Sequence, residues 1–190
     1  MRVAAAGWLA RTHTEAMRVA SAQAAVSHNH PAAILAAQAV AETIFALRHG
    51  HSVSRLRRAI TATYGYDLAL DNALRRRGLD MSAADTVAPA LAAAFAAADW
   101  EDAVRMAVLL GGDTDTLACI AGAVAEAIFA VPPDIATWAR EQLMDDLRLV
   151  LDRFTRHRSA SLRPWRPKTH TWRPRVSLRH APQHPDRPCR

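Results

Sequence analysis

The chain has 190 residues, enough for one domain and an extension, and 51% of them are hydrophobic, so it can bury a substantial core. Its two cysteines, Cys119 and Cys189, are too few for a disulfide framework, which excludes the disulfide-rich secreted class and favours a reducing, cytoplasmic location. No apolar run approaches the roughly 20 residues that span a bilayer, so we expect no membrane association.

The net charge of +6 is unevenly distributed along the chain. Residues 156–190 hold ten of the 24 Lys and Arg residues and one of the 18 Asp and Glu residues, so this segment carries +9 and the rest of the chain −3. The basic character therefore belongs to the C-terminal tail, and it does not make the body of the protein a nucleic-acid binder.

Helical patterns dominate up to about Phe154 and no segment predicts a strand, so the sequence predicts an all-α, multi-helix domain over residues 1–155. Prolines at first positions, Ser and Asp caps and terminal glycines mark its helices. In chain order, the predicted helices run from Pro31 to Gly50, from Ser52 or Ser54 to Gly65, from Thr86 to Ala97, from Asp99 to Gly111, from Asp115 or Thr116 to Pro132, and from Asp134 to Phe154.

Two further segments have less regular patterns. Residues 1–10 form a short apolar stretch that contains Gly7, and we interpret it as an ordinary buried segment rather than a signal peptide. Residues 66–85 are polar and predict a long loop with at most one helical turn; loops of that length inside compact domains are often functional. The last predicted helix should bury one apolar stripe, formed by Trp138, Leu143, Leu147, Val150, Leu151 and Phe154.

The composition changes after Phe154, where six prolines and four histidines fall within residues 156–190 without any apolar period. Such a segment cannot bury enough surface to offset its ordering entropy, so we predict a disordered Arg/Pro-rich tail. Cations flank a tryptophan in residues 163–168, a mixture that can contact phosphates and stack on bases. A solvated extension explains the same composition, and we do not expect nucleic acid to be the main partner.

Two carboxylates, one residue apart, follow a pair of glycines in the run Gly-Gly-Asp-Thr-Asp-Thr at 111–116. The glycines let the chain turn sharply after a helix and approach a ligand closely. Asp113, Asp115 and Thr116 then lie where the loop passes into the next helix, so their oxygens can converge on one point. Hard oxygen ligands suit magnesium, and neighbouring carboxylates repel unless a cation or a proton separates them. We therefore predict that these three residues bind a divalent metal ion, magnesium.

Helix capping is the competing interpretation of this run, because Asp and Thr are ordinary capping residues. One Asp would suffice for a cap, whereas two in alternation beside two glycines exceed that need. An EF-hand loop beginning at Asp113 would require glutamate at its twelfth position, where Val124 stands. An Asp-x-Asp phosphotransferase motif would follow a strand of an α/β domain, whereas here a helix is predicted to precede it.

Residues 111–127, Gly-Gly-Asp-Thr-Asp-Thr-Leu-Ala-Cys-Ile-Ala-Gly-Ala-Val-Ala-Glu-Ala, closely resemble the C-terminal metal motif of the ADP-ribosylglycohydrolases. The resemblance extends over roughly residues 1–155. Less specific stretches support it because they match the family in the same order and at suitable spacing. These stretches lie at 24–31, 37–40, 64–68, 86–91 and 99–103.

The resemblance implies an all-α domain with two magnesium ions that cleaves the N- or O-glycosidic bond between ADP-ribose and a protein side chain or a small molecule. It implies that Asp113, Asp115 and Thr116 are the C-terminal metal ligands, and that His28 lies near the ADP-ribose as a substrate-binding residue. His28 and His30 have an alternative interpretation as caps of the helix that begins at Pro31.

The sequence also departs from the family, because it lacks the Gly-Asp element and the Thr-Asp-Asp motif of the family's N-terminal part, which supply the remaining metal ligands and an acidic catalytic residue. We therefore expect an ADP-ribosylglycohydrolase-like domain that is incomplete at its N-terminus and weakly active or inactive alone, with its catalytic residue unknown. Two alternatives stay open: a non-catalytic domain that binds metal or ADP-ribose, and a protein that binds nucleic acid or an acidic partner through its basic tail.

Overall fold

The protein is all-α in a computed structural model that describes residues 2–76 and 82–161. These described residues form ten helices and no strand, which confirms the predicted fold class. The helices are α1 (Ala4–Leu9), α2 (His13–Ala25), α3 (Pro31–Arg48), α4 (Val53–Tyr64), α5 (Leu70–Arg75), α6 (Ala83–Ala96), α7 (Trp100–Leu109), α8 (Thr114–Ala125), α9 (Pro133–Glu141) and α10 (Asp145–Ser161).

Capping contacts confirm several of the predicted helix ends. The Ser52 hydroxyl caps α4 and accepts a hydrogen bond from the backbone N–H of Arg55 at 3.3 Å. Asp99 caps α7 in the same way, because its carboxylate accepts the N–H of Asp102 at 2.8 Å. Gly65 ends α4 with a φ of 71°, a left-handed conformation that favours glycine. Local sequence signals therefore determine these boundaries.

The core lies between α3, α6 and α8, and nearly half of its buried apolar side chains are alanines. Such small side chains let helices approach closely. At Gly7 in α1, an added Cβ atom would lie 2.6 Å from the carbonyl oxygen of Ala41 and 2.8 Å from the Cβ of Ile44 in α3. Helix α1 can therefore pack against α3 at this distance only because residue 7 has no side chain.

Helix α2 is one element that our sequence analysis did not predict. A variant of the capping box begins it: the hydroxyl of Thr12 accepts the N–H of Glu15 at 3.1 Å, and the Glu15 carboxylate accepts the N–H of Arg11, the residue before the cap, at 2.8 Å. The Thr-x-x-Glu spacing was thus a readable signal in the sequence. The helix packs against α3 and has a weak apolar stripe with two buried alanines, which is why periodicity alone does not reveal it.

The segment 66–85 is more helical than we predicted. It contains α5, and α6 begins at Ala83 rather than at Thr86. Ser82 accounts for the earlier start, because its hydroxyl caps α6 by accepting the N–H of Asp85 at 3.1 Å. The remaining loop is correspondingly shorter, and residues 77–81 within it lie outside the described part of the chain.

The single helix predicted from Asp134 to Phe154 is wrong, because the chain forms two helices, α9 and α10, joined by residues 142–144. Its predicted burial is also largely wrong. Phe154 packs against the core and Leu143 is partly buried, but no residue of α9 is buried. The side chains predicted to be buried but found exposed are Trp138, Leu147, Val150 and Leu151.

Helix α10 continues to Ser161, six residues past the predicted domain boundary at 155. Arg158 explains the continuation, since its guanidinium pairs with Glu126 at 2.6 Å and lies 4.3 Å from the ring centroid of Trp8. No proline lies between Pro133 and Pro164, so none interrupts α10. The disorder predicted for the remainder of the tail concerns residues 162–190, which lie outside the described residues.

Helix α3 is the one described helix whose length and composition would allow it to cross a membrane. Half of it is buried inside the protein, against α1, α2 and α6. Core helices of soluble proteins can have the same length and apolar composition, so these two properties alone are weak support for a membrane span. Its packing accounts for its apolar character without a bilayer.

Candidate functional site

The run 111–116 forms a sharp turn between α7 and α8. Gly111 and Gly112 have φ values of 73° and 72°, and this left-handed conformation strains any L-residue with a side chain. Two successive left-handed residues reverse the chain at once, so that Asp113 stands directly before the first turn of α8. The pair of glycines therefore has the role that the sequence predicts, which is to bring the two aspartates to the start of a helix.

Asp113 occupies the capping position of α8, but its side chain accepts no capping hydrogen bond from the helix. Asp115 follows in the first turn, and its carboxylate accepts the backbone N–H of Thr116 at 2.8 Å. A hydrogen bond from the Asp113 carboxyl, followed by that Thr116 N–H, holds the pKa of Asp115 below its usual value. The two carboxyl groups are thus close enough to influence each other's protonation, and capping does not account for the position of Asp113.

The donor set fits a hard cation in its chemistry, since it offers two carboxylates and a hydroxyl at one helix end. Within residues 2–76 and 82–161, His, Cys, Asp and Glu form no group of three or more that could hold a metal ion. An ion held by Asp113, Asp115 and Thr116 would therefore keep several coordination positions for water or substrate. This is the open arrangement that we expect of a site with few protein ligands.

A cleft of about 410 Å³ opens beside this turn. Asp113 lies at its edge together with both glycines, whereas Asp115 does not line it. Apolar side chains of Pro89, Leu110 and Leu117 form part of its wall. The volume falls in the range that is typical of small-molecule sites, which are largely apolar with a few polar groups that orient the ligand.

The polar side chains of the cleft come mainly from the segment 66–85 and the first turn of α6. Asp67 accepts hydrogen bonds from the N–H of Ala69 at 3.1 Å and from the side-chain amide of Asn72 at 2.8 Å. The Ala69 bond, and then the Asn72 bond, lower the pKa of Asp67, so it is a carboxylate at neutral pH. Arg76 and Asp85 also line the cleft. Our sequence analysis named none of these four as site residues, although the polarity of 66–85 was the signal that could have found them.

Tyr66 forms the buried side of the cleft. Its ring stacks on that of Tyr64 with 5.7 Å between centroids, and burial raises the pKa of its hydroxyl. The Tyr64 hydroxyl in turn donates to the carboxylate of Glu42 in α3 at 2.6 Å. These contacts connect the cleft to a core helix, so its wall is supported from behind.

His28 lies between α2 and α3 and does not line the cleft. Its ring shares a hydrogen bond of 2.8 Å with the hydroxyl of Ser27. The capping interpretation applies to His30 instead, whose ring nitrogen accepts the N–H of Ala32 at the start of α3 at 3.2 Å. Substrate binding by His28 therefore stays a prediction.

Comparison with known proteins bears on the whole chain. The sequence model of the family described as ADP-ribosylglycohydrolase matches residues 1–164, which include α1 to α10 and the run 111–116. Searches of curated proteins and of solved structures found no match. The match covers most of the chain and ends just beyond the last described helix.

Proposed function

Because the chain belongs to the ADP-ribosylglycohydrolase family, we propose that it is a magnesium-dependent hydrolase that cleaves the glycosidic bond of ADP-ribosylated proteins or small ADP-ribosyl compounds. The position of Asp113 is the observation that carries this proposal. Its carboxyl stands at the edge of a ligand-sized cleft, beside that of Asp115, without a capping role. A carboxylate pair arranged in this way is suited to a cation that contacts a bound ligand.

Each group has a distinct task in this proposal. Asp113, Asp115 and Thr116 hold the ion, which when bound polarises ligand oxygens and stabilises charge that develops on them. Asp67 and Asn72 also line the cleft, where they accept and donate hydrogen bonds that orient the polar groups of the ligand. The apolar wall excludes water from the remainder of the ligand. His28 is proposed as a substrate-binding residue on family resemblance.

A second candidate is a non-catalytic domain that binds a divalent cation or an ADP-ribose-like ligand. It is favoured by one observation: the described residues offer two carboxylates at the turn and no third His, Cys, Asp or Glu grouped with them. Magnesium prefers six nearly octahedral ligands, so such a site can bind weakly and still lack the groups needed for turnover. Metal binding and turnover must therefore be measured separately.

The test begins with calorimetric titration of magnesium into the full chain and into an Asp113→Ala/Asp115→Ala variant. Asp134→Ala is the matched control, because Asp134 is an exposed acid in the first turn of α9, away from the cleft. We expect saturable binding by the wild type and by Asp134→Ala and none by the double variant. Equal heats from all three proteins would contradict the metal site.

Turnover then separates the two candidates. The wild type and the double variant are incubated with ADP-ribosylated peptides and with small ADP-ribosyl compounds, and released ADP-ribose is measured. Release by the wild type alone, dependent on magnesium, supports the hydrolase. Saturable magnesium and ADP-ribose binding without release from any substrate supports the non-catalytic domain instead.

A further inference from the structure

One face of α10 carries an apolar stripe that the described residues leave partly exposed. Leu147, Val150 and Leu151 recur at helical spacing on this face and are 45%, 61% and 37% exposed. Trp138 in α9 and Met144 in the connecting segment are more exposed still. Single exposed apolar residues are ordinary, but a continuous stripe on a well-formed helix marks a contact surface.

The stripe is held in place from both ends of α10. Near the C-terminal end, Arg158 pairs with Glu126 at 2.6 Å and lies over the ring of Trp8. In the middle of α10, Asp152 pairs with the guanidinium of Arg140 in α9 at 2.7 Å, and nearer the N-terminal end Arg148 donates to the backbone carbonyl of Glu141 at 2.8 Å. The face is therefore preformed, and a partner can bind it without first ordering the helix.

The charges beside the stripe identify the kind of partner. Asp146 and Arg153 lie on the same side of α10, because seven residues correspond to two turns and a separation of about 10 Å along the axis. Both side chains are exposed, and neither forms an ion pair within the described part of the chain. One flank of the stripe thus presents an acid toward the N-terminal end and a base toward the C-terminal end.

The charges of Asp146 and Arg153 complement those of a second α10 helix that runs in the opposite direction. If two α10 helices cross in antiparallel orientation near Val150, Asp146 of each copy faces Arg153 of the second copy, and the two apolar stripes meet between them. Such self-complementarity is the requirement for a twofold-symmetric contact, in which the same patch is used by both subunits. We propose that α10 is the dimerisation helix of this protein and that its partner is a second copy of the same chain.

Charge reversal tests the proposal in a form that separates it from misfolding. Asp146→Lys and Arg153→Glu each place like charges opposite each other twice in the dimer. The dimer dissociation constant of each variant should therefore be at least about tenfold higher than that of the wild type. An equimolar mixture of the two variants restores both attractive pairs, and so does the double variant. Sedimentation equilibrium of the full chain over a concentration series measures all of these.

A matched pair of apolar variants tests the stripe itself. Val150→Ser removes a stripe residue and should weaken the dimer, whereas Val108→Ser changes a 50% exposed valine in α7, outside the proposed contact, and should not. The proposal is overturned if the wild type is monomeric at every concentration, if both serine variants weaken association equally, or if the mixed charge variants fail to restore it.

Discussion

Asp113 illustrates, at the scale of one residue, how a side chain at a capping position can be available for another task. An aspartate before a helix ordinarily accepts an N–H of the first turn, as Asp99 does for α7. Asp113 makes no such bond, and its neighbour in space is the carboxyl of Asp115. Two acids this close gain from a shared proton or a cation, so the arrangement is better explained by a ligand than by helix stability.

This contrast predicts different stability costs for two similar substitutions. Asp99→Ala should lower the free energy of unfolding by about 1 kcal/mol, because the cap of α7 is lost. Asp113→Ala, measured without divalent cations, should change it by less than about 0.5 kcal/mol or stabilise the chain slightly, because no cap is lost and carboxyl crowding is relieved. Urea denaturation measures both, and an equal loss in the two variants would show that Asp113 is a structural cap.

Two glycines within helices predict a second contrast. An added Cβ at Gly7 would lie 2.6 Å from a backbone oxygen, so Gly7→Ala must move α1 away from α3 and should cost about 1–3 kcal/mol. At Gly122 the nearest atoms are side-chain carbons of Trp100 and Val104 at 3.3 Å, which can shift. Gly122→Ala should be nearly neutral, because the helix propensity gained offsets the crowding. Thermal unfolding of both variants checks the order, and a larger loss at Gly122 would contradict it.

At the scale of a single element, the short segment before α5 is held in its conformation by one carboxylate, that of Asp67. Asp67 holds Ala69 and Asn72 by hydrogen bonds that lower its pKa. A lowered pKa means that the stabilisation is present above the usual value of about 3.9 and is lost as the pH falls through the lower value of the folded protein. The cleft wall should therefore stay ordered at neutral pH and loosen only in acid.

Nuclear magnetic resonance can follow this transition directly. The signals of the Ala69 amide and of the Asn72 side-chain amide should titrate together, with a midpoint below about 3.9. In Asp67→Asn the same signals should show no such titration, while those of α7 stay as in the wild type. A midpoint at or above the usual value would mean that these hydrogen bonds do not hold the segment.

Capping residues and helix-ending glycines predicted most of the helices, but they did not predict which faces of those helices are buried. Ser52, Gly65 and Asp99 could be identified from the sequence, because a cap or a left-handed glycine acts on its own turn. The stripe on α10 shows what such signals lack: the spacing of Leu147 and Val150 predicts an apolar face but does not say whether another element covers it. Periodicity reports the pattern of one helix, whereas burial depends on its neighbours.

The candidate site likewise combines a local feature with one that depends on the packing of the whole molecule. Asp113 and Asp115 are two positions apart in the sequence, so their proximity could be predicted. The cleft could not, because Asp67, Asn72 and Asp85 reach it from elements that are remote in the sequence. Their convergence depends on how α6 packs against α8, which no single segment specifies.

Deleting residues 162–190 tests whether the basic tail contributes to the folded domain. The deletion removes eight Lys and Arg residues, yet the buried apolar residues of the described chain all lie before residue 130. The free energy of unfolding should change by less than about 0.5 kcal/mol, and salt-sensitive binding to DNA, where it occurs, should disappear. Deletion from residue 145 onward is the control that should destabilise, because it removes Phe154 and Arg158. Loss of stability in the shorter deletion would show that the tail packs on the domain.

The alanine-rich core has a consequence for how this protein can evolve. A core of leucine and phenylalanine is usually damaged by truncation, which leaves cavities. Nearly half of the buried apolar positions are already alanine, so every substitution there except glycine enlarges the side chain. Enlargement forces helices apart, as at Ala39, Ala90 and Ala121, which are fully buried. Substitutions that enlarge a side chain should therefore be selected against most strongly at the buried alanines of this fold.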